Sequence, residues 1–151
     1  MYQKISLRLL LIAVILVIPL SMMACSESGG SNATEPFADE PMIVDSAMCI
    51  NVDNDRADGI TSTFLSSDDK IYIWVYWSHM DTSSTVKAVW YGPKDNNTPY
   101  REDSHLVRSD SGFAITWFYL DKPIGGFTAG EWSVEVYLDG NFERSYLFTV
   151  D

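Results

Sequence analysis

The sequence predicts a single antiparallel β-sandwich of about seven to nine strands. Apolar and polar residues alternate in several short runs, turn residues separate those runs, and no run after residue 41 has a sustained helical period. The apolar content of 46% is enough for a packed core in a chain of 151 residues. A fibrous or wholly disordered protein is therefore not expected.

The first 24 residues have the order of parts of a secretory signal peptide. Lys4 and Arg8 precede an apolar stretch from Leu9 to Leu20, and small or flexible residues follow up to Cys25. The letters SMMAC at 21–25 resemble the lipobox of bacterial lipoproteins, in which the cysteine is lipidated and becomes the new N-terminus. The alternative is an uncleaved anchor, although the stretch from Leu9 to Ala24 is slightly shorter than a membrane span of roughly 20 residues and is interrupted by Pro19.

This resemblance implies a lipoprotein attached to the bacterial cell envelope through lipid on Cys25. Ser26 follows the cysteine in place of the aspartate that retains lipoproteins in the inner membrane, which implies the outer membrane of a Gram-negative cell. The next residues are small, polar and aperiodic, as in a flexible tether. The expected organisation is a signal peptide at 1–24, a lipidated cysteine and tether at 25–41, and the sandwich at 42–151.

Charge limits the partners of the predicted domain. Cleavage after Ala24 would leave 8 basic and 21 acidic residues, and thus a formal charge of −13. Such a surface repels phosphate backbones and anionic lipid, which argues against nucleic-acid binding. Basic ligands, cations and neutral glycans remain open as partners.

Nine strand candidates follow residue 41, with turn-rich segments between them. They are Met42 to Val44, Ala47 to Val52, Ser62 to Leu65, Lys70 to Trp77, Thr85 to Tyr91, His105 to Arg108, Gly112 to Leu120, Glu131 to Leu138 and Arg144 to Val150. The last two predict a hairpin, because Asp139, Gly140 and Asn141 tolerate the positive φ of a tight loop between two alternating runs.

Several of these runs resemble immunoglobulin-like domains of unknown function in bacterial envelope proteins. The resemblance rests on a Thr-x-Phe near Thr61 to Phe64, the strand Lys70 to Trp77, the Trp-Tyr-Gly-Pro turn at Trp90 to Pro93, and the closing hairpin. It covers roughly Cys49 to Val150 and implies an immunoglobulin-like sandwich. It transfers no catalytic residue, and fold alone does not fix function.

Tyr72, Trp74 and Tyr76 are the candidate ligand-binding residues, because they share one face of a strand. Exposed rings there would stack on a sugar or on the apolar surface of a partner. The competing interpretation is core or cross-strand packing, and it is favoured by the strand Gly112 to Leu120, which is also aromatic on both faces.

Asp53, Asp55 and Asp58 invite a calcium interpretation, since hard cations bind several oxygens on one loop. Their spacing does not match the helix–loop–helix calcium motif, and a solvated turn at 51–59 is the favoured alternative.

No motif in the chain predicts catalysis. His79 and His105 have no neighbouring ligand motif, and no Gly-x-Ser-x-Gly sequence is present. Cys49 lies in an apolar run, so we expect a buried and unreactive thiol. We therefore expect no enzymatic activity and no cofactor.

The sequence thus predicts a non-catalytic envelope lipoprotein that binds another envelope protein through a sheet edge or an aromatic face. The terminal hairpin is one place where an open edge is expected. A glycan-binding module built on the three rings and a calcium-dependent surface protein remain the alternatives.

Overall fold

Two β-sheets pack face to face in the computed structural model, which describes residues 40–95 and 97–151. The described strands are β1 (Met42–Asp53), β2 (Arg56–Ile60), β3 (Thr63–Phe64), β4 (Lys70–Ser78), β5 (Ser84–Tyr91), β6 (Arg101–Val107), β7 (Phe113–Asp121), β8 (Gly130–Leu138) and β9 (Asn141–Val150). The predicted signal peptide, Cys25 and all but the last two residues of the predicted tether lie outside the described residues. Residues 40–95 and 97–151 include no helix with the length and apolarity that a membrane crossing requires.

The strand order confirms the predicted immunoglobulin-like class. The first sheet has the order β2-β1-β4-β7, and the second has the order β3-β9-β8-β5-β6. Neighbouring strands are antiparallel except for β3 and β9, which are parallel. Immunoglobulin-like sandwiches pair strands B and E in one sheet and strands C, F and G in the other. Here β4 and β7 correspond to B and E, and β5, β8 and β9 correspond to C, F and G.

The core lies between the sheets and is formed by the inward faces of their central strands. The alternation along β4 directs every second residue inward. These residues are fully buried: Ile71, Ile73, Val75 and Trp77. Val134 and Val136 of β8 are buried in the same cluster. The Trp77 indole N–H donates to the Thr116 hydroxyl at 2.9 Å, so this buried donor is satisfied.

Two strands predicted near the start of the sandwich form a single strand in the structure. Met42 to Val44 and Ala47 to Val52 both belong to β1, because a bulge between Ile43 and Asp45 shifts the pairing with β4 without ending it. β6 also begins earlier than the predicted strand His105 to Arg108, at Arg101. Its first residues are charged or polar and lack the alternation on which the prediction depended.

The segment 51–59, for which a solvated turn was favoured, is a hairpin with an exposed turn at its tip. Asn54 and Asp55 join β1 to β2 with φ values of 48° and 62°, which these residue types tolerate. Beyond Cys49, β1 pairs with β2 and no longer with β4. The hairpin tip lies over the outer face of β4, where the Trp74 indole N–H donates to the Asp55 carbonyl at 2.9 Å.

The terminal hairpin is confirmed. β8 and β9 are joined by Asp139 and Gly140, whose φ values are 48° and 85°. Leu138 pairs with Asn141 across this two-residue loop. β8 lies between β9 and β5, so it offers no open edge to a partner.

Candidate functional site

The open edges of the two sheets are the first surfaces to compare, since an edge strand exposes unpaired backbone N–H and C=O groups. In the described part of the chain, the first sheet ends at β2 and β7, and β2 pairs with β1 only from Cys49 onward, so the first half of β1 is an edge as well. The second ends at β6 on one side. On the other side β3 covers β9 at only two positions, so most of β9 is also an edge.

Four of these five edges have features that discourage pairing with another chain. The first half of β1 contains the charged Asp45 and a bulge between Ile43 and Asp45. β2 is only five residues long and contains Gly59 at a φ of 63°. β9 includes Glu143, and a bulge interrupts its register with β8. β6 begins with the charged residues Arg101, Glu102 and Asp103. Short length, bulges and charges are all known protections of sheet edges.

β7 lacks these protections. Residues 113–120 contain no charged residue, and β7 pairs with β4 over nine consecutive positions without a register shift. Its outer face exposes Phe113, Ile115 and Trp117 by 52%, 36% and 37%, and we call these three side chains the β7 row. One regular strand therefore presents both open backbone groups and large apolar side chains.

The predicted ring set Tyr72, Trp74 and Tyr76 lies on the same outer face as the β7 row. Trp74 is only 9% exposed beneath the β1–β2 hairpin, and the two tyrosines are half-buried. The Tyr72 ring packs against Tyr119 with centroids 5.4 Å apart, and Tyr76 stacks on Phe113 at 6.0 Å. Cross-strand packing covers much of these rings, so the most exposed apolar groups of this face belong to β7.

Two hollows flank the β7 row. One, of about 310 Å³, lies on the outer face and is lined by Asp55, Tyr76, Phe113, Ala114, Ile115 and Trp117. The other, of about 400 Å³, lies between β6 and β7. It is lined by residues 105–107 of β6, and by residues 115–117 and Tyr119 of β7. If another chain added a strand to the open edge of β7, the side chains on both faces of that strand would therefore meet mainly apolar groups.

The uncharged part of β7 ends at a group of ion pairs near Asp121. Asp121 lies 3.4 Å from the Lys70 ammonium and 4.0 Å from the Arg101 guanidinium. Arg101 also donates two hydrogen bonds to the Asp103 carboxylate. Asp121 and Asp103 thus each lie within ion-pair distance of a cation.

His105 lies in the hollow between β6 and β7. Its ring stacks on Phe118 with centroids 4.3 Å apart. Partial burial lowers the pKa of His105 because it disfavours the charged imidazolium, and the Asp103 carboxylate opposes this effect. His79 lies instead at the end of β4 with a φ of 55°, and its ring nitrogen is 3.2 Å from the Ser78 hydroxyl. His105 lies on β6 and His79 directly follows β4, so the two histidines have separate surroundings.

The three calcium candidates lie along the β1–β2 hairpin. Asp53 ends β1, Asp55 is in the turn, and Asp58 is in β2 opposite Asn51. The Asp53 carboxylate accepts a hydrogen bond from Asn54 at 3.0 Å. Within residues 40–95 and 97–151, no three His, Cys, Asp or Glu side chains are grouped as metal ligands. The calcium interpretation stays a prediction.

Cys49 is fully buried, as expected, on β1. Burial raises the pKa of its thiol, because the thiolate would lose its solvation. A buried thiol with a raised pKa is a poor nucleophile.

A cluster on the outer face of the second sheet was not identified from the sequence. The Glu135 carboxylate accepts hydrogen bonds from the hydroxyls of Tyr91 at 3.2 Å and Tyr137 at 2.7 Å. The bond to Glu135 raises the pKa of Tyr137 to about 12, so this phenol remains a proton donor at neutral pH. Lys87 lies over the Tyr137 ring at 4.6 Å. The period-two alternation of β5 and β8 could have placed these groups on one face, but it could not align the two strands.

Comparison with known proteins shows likeness to solved structures at the level of the fold alone. No protein-family model matches the chain, and no match is found among the curated proteins. A solved structure of an immunoglobulin-like protein from Pseudomonas aeruginosa is 14% identical, with a TM-score of 0.48. The match covers 74% of this chain and 97% of that one. Identity and geometry are both too low for a residue role or a function to be transferred.

Proposed function

We propose that this chain is a non-catalytic envelope lipoprotein whose sandwich binds another envelope protein along β7. The observation that carries the proposal is the contrast among the sheet edges. β7 is regular and uncharged from 113 to 120 and exposes a row of apolar side chains, whereas the other edges are short, bulged or charged. Folded proteins protect such edges from unwanted pairing, so an unprotected edge fits one that a partner covers.

Photo-crosslinking in the native membrane tests this proposal. A photoreactive amino acid in place of Ile115 should yield one dominant crosslinked protein. The matched control is the same substitution at Leu147, an exposed residue of β9 in the second sheet. A crosslink that depends on position 115 supports the proposal. Equal labelling from both positions, or none from position 115, would contradict it.

The anchoring part of the proposal rests on the resemblance of residues 21–25 to a lipobox. A Cys25→Ala variant should lose its lipid and leave the membrane fraction, whereas the wild type should fractionate with outer membranes on a density gradient. A Cys25→Ala variant that stays in the membrane would favour the uncleaved anchor instead.

Glycan binding is the second candidate, and the exposed rings of Phe113 and Trp117 favour it. Flat aromatic rings stack on the apolar faces of sugars. If a glycan is the ligand, Trp117→Ala should abolish binding to isolated cell-wall polysaccharide. Ile115→Ala, which removes no ring, should change that binding less. Equal losses in both variants would favour a protein partner over a sugar.

A further inference from the structure

We infer that β7 accepts an added strand, which is an extended apolar segment of the partner with lysine or arginine residues on its flanks. This inference rests on the proposed function, because it names the chemistry of the segment that occupies the same edge. The available part of the edge begins near Ala114, since the Ser109 hydroxyl donates to the Phe113 carbonyl at 2.7 Å. It continues to Leu120, before the ion-paired Asp121.

The backbone of β7 favours an extended occupant. β4 pairs with one side of β7, so the alternate N–H and C=O groups on the other side remain open. Another extended backbone can pair with these groups in sequence. A helix already uses its own backbone groups internally, so it would leave those of β7 without partners.

The two hollows determine the side chains that the segment would carry. Successive residues of an added strand point to opposite faces. One set would lie beside the β7 row and the outer hollow, and the other set would enter the hollow between β6 and β7. Leu106 and Val107 contribute apolar groups to the second hollow. A segment that is apolar on both faces over about five residues therefore fits better than an alternating amphipathic one.

Charge complementarity favours basic flanks and argues against a second copy of this chain. Residues 40–151 contain 18 acidic and 8 basic residues. Four of the basic residues are already in ion pairs: Lys70, Lys87, Arg101 and Lys122. Asp55, on the rim of the outer hollow, has no ion-pair partner among the described residues. A second copy would bring two acidic surfaces together, whereas lysine or arginine would be attracted to this one.

Selection from a phage library of random ten-residue segments tests the inference. The bait is the full-length protein in mild detergent. The negative bait is the Ile115→Lys variant, and Leu147→Lys is the matched control for an added lysine on another exposed surface. We expect enriched peptides with an uninterrupted apolar centre and basic flanks. They should bind the wild type and Leu147→Lys equally and Ile115→Lys at least tenfold more weakly.

Backbone methylation of an enriched peptide then tests strand addition. Only alternate N–H groups of an added strand face β7. Methylating one alternate set should weaken binding at least tenfold, and methylating the other set should have little effect. Exchanging the basic flanks for glutamate should also weaken binding at least tenfold at low salt, and this difference should shrink as salt screens the charges.

Three results would overturn the inference. They are enrichment of acidic or helical peptides, binding that responds equally to both methylation patterns, and a dimer of the protein alone that Ile115→Lys dissociates. If the crosslink from position 115 is nevertheless seen in membranes, the proposed function stands and only the stated chemistry of the partner fails. If that crosslink is absent while peptides bind as expected, the edge accepts strands but the proposed function fails.

Discussion

β4 and β7 are neighbouring aromatic strands of the same sheet, yet they differ in what they present to solvent. Both have aromatic or aliphatic residues on both faces. β4 lies between β1 and β7 with the β1–β2 hairpin over its outer face, whereas β7 has one neighbour in its sheet. The same kind of sequence is therefore interior in one strand and a candidate binding edge in the other. Position in the sheet, more than composition, separates the two.

The largest difference between the strands should appear when a tryptophan is removed from each. Trp77→Ala empties a fully buried site in β4 and should lower the free energy of unfolding by about 3–5 kcal/mol. Trp117→Ala removes a ring that is already 37% exposed and should cost about 1 kcal/mol. Urea denaturation followed by circular dichroism measures both values. Equal losses would show that β7 packs as β4 does.

A smaller effect is expected at the contact between the two strands in the core. Thr116→Val retains the side-chain shape but removes the hydroxyl that accepts the Trp77 indole N–H. The buried donor would then lack a partner, which should cost about 1–3 kcal/mol. Thr149→Val, at an exposed position of β9, is the control and should change stability by about 0.5 kcal/mol or less. If both variants have the same stability, the indole does not depend on this hydroxyl.

The hairpin over β4 provides a more local test. Trp74→Phe keeps an aromatic ring but removes the hydrogen bond to the Asp55 carbonyl, at a cost of about 1 kcal/mol. Amide hydrogen exchange should become faster at residues 51–60, while protection in β8 should change little. Unchanged exchange in the hairpin would mean that this hydrogen bond does not hold it over β4.

The smallest expected effect is on the pH dependence of stability, through His105 in the hollow between β6 and β7. Because the pKa of His105 is lowered in the folded protein, the unfolded chain binds a proton more readily. The stabilisation by the neutral ring is complete above about pH 6.5 and decreases as the pH falls from there towards the lowered pKa. His105→Gln should reduce the pH dependence of the urea midpoint just below pH 6.5. An unchanged slope would assign that dependence to other groups.

Much of the fold was predictable because alternation is a local property. The predicted strands that became β5 and β8 agree with the structure within one residue at each end, and the chemistry of Asp139 and Gly140 predicted the terminal hairpin. β2 was missed, although Asn54 and Asp55 are suited to a two-residue turn, because its polar residues have no apolar period.

The candidate site was less predictable because it depends on long-range pairing. The sequence shows that β4 and β7 are both aromatic on two faces, but it does not show which strand has a second neighbour. Tyr72 meets Tyr119 across 46 intervening residues of the chain. The predicted rings are partly covered because β4 pairs with β7 and the β1–β2 hairpin lies over Trp74. The β7 row is exposed because, among the described residues, no hairpin covers it and β7 has no second neighbour in its sheet.

The exposure of Trp117 gives the protein an intrinsic optical reporter at the proposed edge. The chain has five tryptophans, and the other four, Trp74, Trp77, Trp90 and Trp132, are buried. Iodide in solution would therefore quench the emission of Trp117 much more than that of the others. A partner strand on β7 would shield this indole and shift its emission to shorter wavelengths. Occupancy of the edge could then be followed in unlabelled wild-type protein from its own fluorescence.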